Sequence, residues 1–158
     1  MRKAQAKIRD VKEDILYKNK LVTKLINRSM KDGKRSTAQK QIYAAFEKIA
    51  TEIGEDALKV FLQAIDNIKP DMEVRSRRIG GAAYQVPSPV RGPRKDALAI
   101  RWLIQAANTR SNSEFKTYGN KLAAEIVAAS KGEGGAVTKK KEMERISEAN
   151  KAFAHFRW

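Results

Sequence analysis

The stretch Lys69-Pro70-Asp71-Met72-Glu73-Val74-Arg75-Ser76-Arg77-Arg78-Ile79-Gly80-Gly81-Ala82-Ala83-Tyr84-Gln85-Val86-Pro87 decides the architecture, because here the helical period of the chain stops. Pro70 lacks an N–H and its ring clashes with the preceding turn, so a helix arriving from upstream ends there. Met72, Val74, Tyr84 and Val86 then alternate with polar residues, the period-two signature of a strand. Gly80 and Gly81 stand between the two runs, and paired glycines accept positive φ at both central positions of a two-residue turn. The segment therefore reads as a β-hairpin over about residues 72–87. An isolated pair of strands is marginal in water unless it packs or binds something. Arg75, Arg77 and Arg78 on the first strand point to binding.

Outward from this ribbon, the chain is helical in both directions. Upstream, Leu58, Phe61, Leu62, Ile65 and Ile68 form an apolar stripe that runs into Pro70. Before it, Ala38, Ile42, Ala45, Phe46 and Ile49 repeat on one face as far as Gly54, and Ser36 with Gln39 has the spacing of a capping box. Leu21, Val22, Leu25, Ile26 and Met30 give an earlier helix, closed by Gly33. Downstream, Pro87, Ser88, Pro89, Gly92 and Pro93 make a stiff connector into a helix marked by Ile100, Leu103, Ile104 and Ala107. Phe115, Tyr118, Leu122, Ile126 and Ala129 mark a fifth helix, which ends in Gly132, Gly134 and Gly135. Met143, Ile146, Ala149 and Phe153 mark a sixth, with Lys139, Lys140 and Lys141 at its entrance. Residues 1–20 carry Arg2, Lys3, Lys7, Arg9 and Lys12 with few apolar anchors, and read as a basic N-terminal arm ordered only when bound. The expected fold is mainly α: a single-domain bundle of about six helices over 21–158, with a protruding β-hairpin between the third and fourth helices.

Charge sets the class of partner. Over 158 residues, 33 Lys and Arg face 18 Asp and Glu, a net charge of +15. Self-repulsion of that size is relieved by a polyanion, nucleic acid or an anionic membrane. No apolar run long enough to span a bilayer is present, and the charged start has no apolar core of a signal peptide behind it. The absence of cysteine excludes a disulfide framework, thiolate metal sites and a cysteine nucleophile, and suits an intracellular, cytoplasmic protein. Hydrophobic residues at 42% are ordinary for a folded domain, so the charge sits on a packed body.

Catalysis has little to work with. His155 is the single histidine, set between Ala154 and Phe156, and no nucleophile and carboxylate can be assembled around it. Gly80-Gly81 lacks the spacing of a phosphate-binding loop, and Glu142, Glu144 and Glu148 read as a solvated helix face. No metal site, cofactor or small-molecule substrate is expected, and the chain does not read as an enzyme.

Nucleic-acid binding has several independent signals. Arg75, Arg77 and Arg78 lie on a protruding ribbon whose glycine tip allows close approach, and arginine suits phosphate forks and base stacking. Lys31, Gly33, Lys34 and Arg35 form a basic first interhelical loop, while Arg91, Arg94, Lys95 and Arg101 surround the start of the fourth helix. The expectation is one continuous positive face. Tyr84 suits either stacking on a base or covering the hairpin's apolar base.

The run Lys69 to Pro87 closely resembles the signature of the bacterial small-subunit ribosomal protein seven family. Asp32-Gly33-Lys34 with Ser36-Thr37-Ala38, then Arg101-Trp102, then the ending Glu148 to Trp158, match the same family in the same order, from about Leu21 onward. The resemblance implies a structural protein that binds the 3′ major domain of 16S-type rRNA and nucleates assembly of the subunit head. It implies an rRNA-contacting loop at Lys31, Gly33, Lys34 and Arg35, a hairpin over Arg75 to Val86, and arm contacts from Arg2, Lys3, Lys7 and Arg9. Arg78, Gly80, Gly81, Ala82 and Tyr84, with Lys139, Lys140 and Lys141, would lie near exit-site tRNA and mRNA. Lys151, Phe153, His155, Phe156, Arg157 and Trp158 would approach the platform, and the neighbours would be small-subunit proteins nine, nineteen and eleven. This chain departs from the family pattern in an arm diluted by Asp10, Glu13 and Asp14, in a longer Gly132 to Thr138 loop and in Glu144, where histidine is common.

Two readings from other classes compete. Architectural DNA-binding proteins also carry β-ribbon arms on basic helical bodies, but such arms drive an apolar wedge from the tip, and this tip is Gly80-Gly81. A membrane-surface protein needs a basic amphipathic helix with bulky apolar residues opposite the charge, which the final helix matches weakly.

Overall fold

Six helices and one antiparallel hairpin make up the computed structural model, which describes residues 10–156. In chain order they are α1 (Lys20–Ser29), α2 (Arg35–Ile53), α3 (Ala57–Ile68), β1 (Met72–Ile79), β2 (Ala82–Pro89), α4 (Gly92–Thr109), α5 (Tyr118–Ser130) and α6 (Gly135–Ala149), followed by a 3-10 turn, Lys151–Phe156. The hairpin lies between the third and fourth helices, as its glycines and flanking proline require.

Local chemistry sets most helix ends. Asn19 caps α1 by accepting from the Leu21 amide at 2.7 Å, Asp56 caps α3 at Leu58, and Thr117 caps α5 at Asn120. Pro93 occupies the first turn of α4, where its missing N–H costs nothing. α2 is an exception. The capping box expected from Ser36 and Gln39 does not form: the helix already opens at Arg35 behind Lys34, with no side-chain cap, and Gln39 donates instead to the Tyr43 hydroxyl.

α5 sits at the centre, against α2, α3, α4 and α6. Its approach to α2 depends on Gly119, where a Cβ would stand 2.9 Å from the Gln41 carbonyl oxygen. Its Leu122 and Ile126 are fully buried, as are Phe46, Phe61, Leu25, Ile42, Ile65 and Leu103 on other helices. Each such side chain contributes about 1.5–3 kcal/mol relative to exposure. The expected stripes hold for α1 to α4, with Val60 and Ala64 joining that of α3.

Two expected helices shift. Phe115 lies outside α5, half-buried beneath the Arg110 guanidinium. α6 starts at Gly135, so Lys139, Lys140 and Lys141 lie inside it and not at its entrance. Its buried residues are Ala136, Val137 and Ser147, and Phe153 belongs to the 3-10 turn. The physical reason is Glu125: it is 1% exposed, accepts from the Ala136 amide at 2.9 Å and binds Arg110 at 2.7 Å, so a side chain from α5 caps the start of α6. No local signal in residues 131–138 announces that cap.

Residues 1–9, with Arg2, Lys3, Lys7 and Arg9, and residues 157–158, Arg157 and Trp158, lie outside the described residues. The rest of the expected arm is not a free strand of chain. Asp14 is 4% exposed and accepts from the Leu16 and Tyr17 amides and the Tyr43 hydroxyl, at 2.9–3.2 Å to its Oδ2. Tyr17 packs edge-on against Tyr43 and Phe46, and burial, with the neighbouring Tyr43 and Asp14, raises its pKa. This turn therefore packs against α2.

Candidate nucleic-acid interface

The hairpin is paired from Met72↔Pro89 to Ile79↔Ala82, slightly longer than the expected 72–87. Gly80 and Gly81, at φ +57° and +91°, make a two-residue turn in which both central residues are left-handed. The register sorts the side chains. Glu73, Arg75 and Arg77 pair with Ser88, Val86 and Tyr84 on one face, while Val74, Ser76 and Arg78 pair with Pro87, Gln85 and Ala83 on the other. The three arginines thus do not project together. Val74 and Val86, expected to alternate as one set, fall on opposite faces for the same reason.

Tyr84 covers an apolar surface. Its ring centroid lies 5.2 Å from that of Phe153 and 5.6 Å from that of Phe156, so the 3-10 turn is laid along β2 through three aromatic rings. His155 is exposed, with its ring 3.9 Å from Phe156 and its Nδ1 2.9 Å from the Ala152 carbonyl oxygen. Lys151 is exposed beside it.

At the base of the ribbon the cations are held by a buried carboxylate. Glu73 is 6% exposed, yet both oxygens are occupied, by Arg75 Nε at 2.6 Å and Arg94 Nε at 2.6 Å. Desolvation pushes its carboxyl up, and the hydrogen bonds and charges of Arg94 and Arg75 outweigh that and hold it below the ordinary glutamate value. Lys95 reaches Asp71 at 2.5 Å and holds that carboxyl below its usual range as well. Lys24 and Lys69 share Asp96, at 3.2 and 3.4 Å, which ties α1, the end of α3 and α4 together beside the hairpin. The acidic residues here serve to arrange cations. Arg75 and Arg94 keep about half their side-chain surface exposed, so each guanidinium still has donors to offer.

The other basic groups are distributed unevenly. Lys31, Lys34 and Arg35 are exposed around the tight loop of Asp32 and Gly33, where both residues adopt positive φ, and they make no ion pair among the described residues. Arg91 and Arg101 are also exposed. Lys140 turns inward and donates to the Asn67 carbonyl at 3.1 Å, and Lys139 pairs with Glu142 at 2.7 Å, whereas Lys141 is exposed and makes no ion pair among the described residues. Sequence reasoning missed Glu73, Asp71 and Asp96; the signal available was the placement of acids within otherwise basic segments.

Among the described residues, no cluster of three or more histidines and carboxylates could hold a metal, and no helix is long and apolar enough to cross a membrane. A helical body with cations arranged at the root of a glycine-tipped ribbon has the charge and shape expected of a polyanion-binding protein. The family model described as ribosomal protein S7p/S5e matches residues 1–151, and the chain belongs to that family, whose members are structural, non-enzymatic components of the ribosome. It is 50% identical to the small ribosomal subunit protein uS7 of Thermotoga petrophila over the full length of both chains. It is 52% identical to that of Streptococcus mutans and 47% identical to that of Thermus thermophilus, over 99% of each chain.

Proposed function

We propose that this protein is a primary rRNA-binding protein of the small ribosomal subunit in a bacterial cytoplasm. It binds the 3′ major domain of 16S-type rRNA and nucleates head assembly. The hairpin and C-terminal turn then lie in the cleft between head and platform, close to exit-site tRNA, mRNA and small-subunit proteins nine, nineteen and eleven. The observation that carries this reading is the ribbon itself: Arg77 and Arg78 are exposed toward its tip, while Glu73 ties its root to α4 through Arg94 and holds Arg75 on its own strand. The loop Lys31 to Arg35 supports it with exposed cations around the uncapped start of α2, a geometry suited to phosphate.

The test is filter binding of the protein to transcribed 3′ major domain, with unrelated structured RNA and duplex DNA as competitors. Counterion release predicts that log affinity falls with log salt by roughly 0.7–0.9 per phosphate neutralised. Arg77→Ala with Arg78→Ala is expected to weaken binding at least tenfold, since each well-formed contact is worth about 1–3 kcal/mol. A flat salt response, or equal affinity for the competitor RNA, refutes the reading; preference for duplex DNA favours the architectural alternative.

A further inference from the structure

A cavity of about 430 Å³ opens between the end of α1, the loop after it, the start of α2, and α4 and α5. That volume lies within the range of small-ligand sites. Its half-buried wall is made by Met30, Ile104 and Tyr118, two aliphatic surfaces and a phenol ring. Tyr118 is fixed, since its hydroxyl lies 3.1 Å from that of Ser29, and burial raises its pKa so that it stays a neutral phenol. Two amides supply polarity. Gln41 accepts from the Gly119 N–H at 3.0 Å, which holds its carboxamide in place with the NH₂ still able to donate. Asn108 is exposed at the mouth, with Arg28, Lys31 and Lys34 around it. These three cations make no ion pair among the described residues, in contrast to Lys24, Lys69, Arg94 and Lys95 on the neighbouring surface.

An apolar slot with an aromatic wall, two amides and a cationic mouth suits a flat heterocycle with a polar edge that is tethered to a phosphate. We propose that this cavity receives the base of one unpaired RNA nucleotide, with its phosphate held at the mouth by Arg28, Lys31 and Lys34. The proposal rests on the rRNA-binding reading and adds a pocket that reads a single base. Duplex segments do not supply the occupant, because a paired base cannot leave its stack without losing its partner. Adaptable Met30 and the aromatic Tyr118 tolerate either ring size, and the amides supply the choice between bases.

Ultraviolet cross-linking of the full chain to transcribed small-subunit rRNA tests this, with the joined peptide identified by mass spectrometry and the nucleotide by primer extension. One unpaired nucleotide is expected on the peptide containing Met30 or that containing Tyr118. Thr37→Trp fills the mouth from an exposed position, and Asn108→Asp places a carboxylate there without adding bulk. Both are expected to melt like the parent, to lose that cross-link and to bind roughly 10- to 100-fold more weakly, with a shallower salt slope because the phosphate at the mouth is displaced together with its base. If both variants bind as tightly as the parent and keep the cross-link, the pocket is overturned while the rRNA-binding reading stands. A parent with no preference for small-subunit rRNA overturns both. Assembled particles in which Met30 or Tyr118 joins only a protein peptide show a protein occupant and also overturn it.

Discussion

Replacing Glu73 by glutamine tests the contact that ties the root of the hairpin to α4. The change conserves shape but removes the charge that accepts from Arg75 and Arg94 at 2.6 Å each. Removing one partner of a buried ion pair costs about 3–5 kcal/mol when the remaining charge stays buried. Here the arginines left behind keep 56% and 50% of their side-chain surface exposed and can rehydrate, so the cost is discounted to about 1–2 kcal/mol. For a domain of this size that lowers Tm by about 2–8 °C. The effect depends on pH in a definite direction. The folded-state pKa of Glu73 lies below its ordinary value, so the unfolded chain takes up the proton first. Its contribution is therefore complete above the ordinary glutamate range, near about 4.3, and is lost as pH falls through the folded value. Urea melts of parent and Glu73→Gln across that range check this. Equal stability at neutral pH, or a difference that grows as pH falls, refutes the assignment of Glu73 as the root of the ribbon.

Asp14→Ala removes the acceptor for two amides and the Tyr43 hydroxyl, and is expected to lower stability by about 2–3 kcal/mol in a thermal melt. Deleting residues 151–158 is expected to leave Tm nearly unchanged, because none of Lys151–Phe156 is buried. Amide exchange in β2 should nevertheless rise as Tyr84 loses Phe153 and Phe156. Gly81→Val meets no steric neighbour, and its cost is the backbone at φ +91°, so local disorder of the turn by NMR is expected with little effect on the bundle.

The stability consequences of the hairpin arginines differ from one another, although the sequence presents them as one basic run. Arg75 belongs to the fold through Glu73, whereas Arg78 stands on the other face of the ribbon. A triple replacement of Arg75, Arg77 and Arg78 therefore mixes a stability effect with a binding effect. The even choice over Tyr84 resolves in the same way, because the rings that cover it come from a segment about seventy residues later.

Periodicity, glycine pairs and prolines were sufficient for the order of elements, since each reports steric rules acting within a few residues. The stripes of α1 to α4, the stop at Pro70 and the turn at Gly80-Gly81 are all of that kind. Net charge, likewise, specifies a polyanionic partner without reference to the fold. Tertiary structure decided what depended on partners distant in the chain: the cap on α6 from Glu125, the burial of Asp14 and the inward turn of Lys140. It also decided which cations are held by Glu73, Asp71 and Asp96 and which remain open around the cavity at Lys31 and Lys34. Electrostatic and hydrogen-bonding energies depend on distance and burial, and neither is encoded in local spacing.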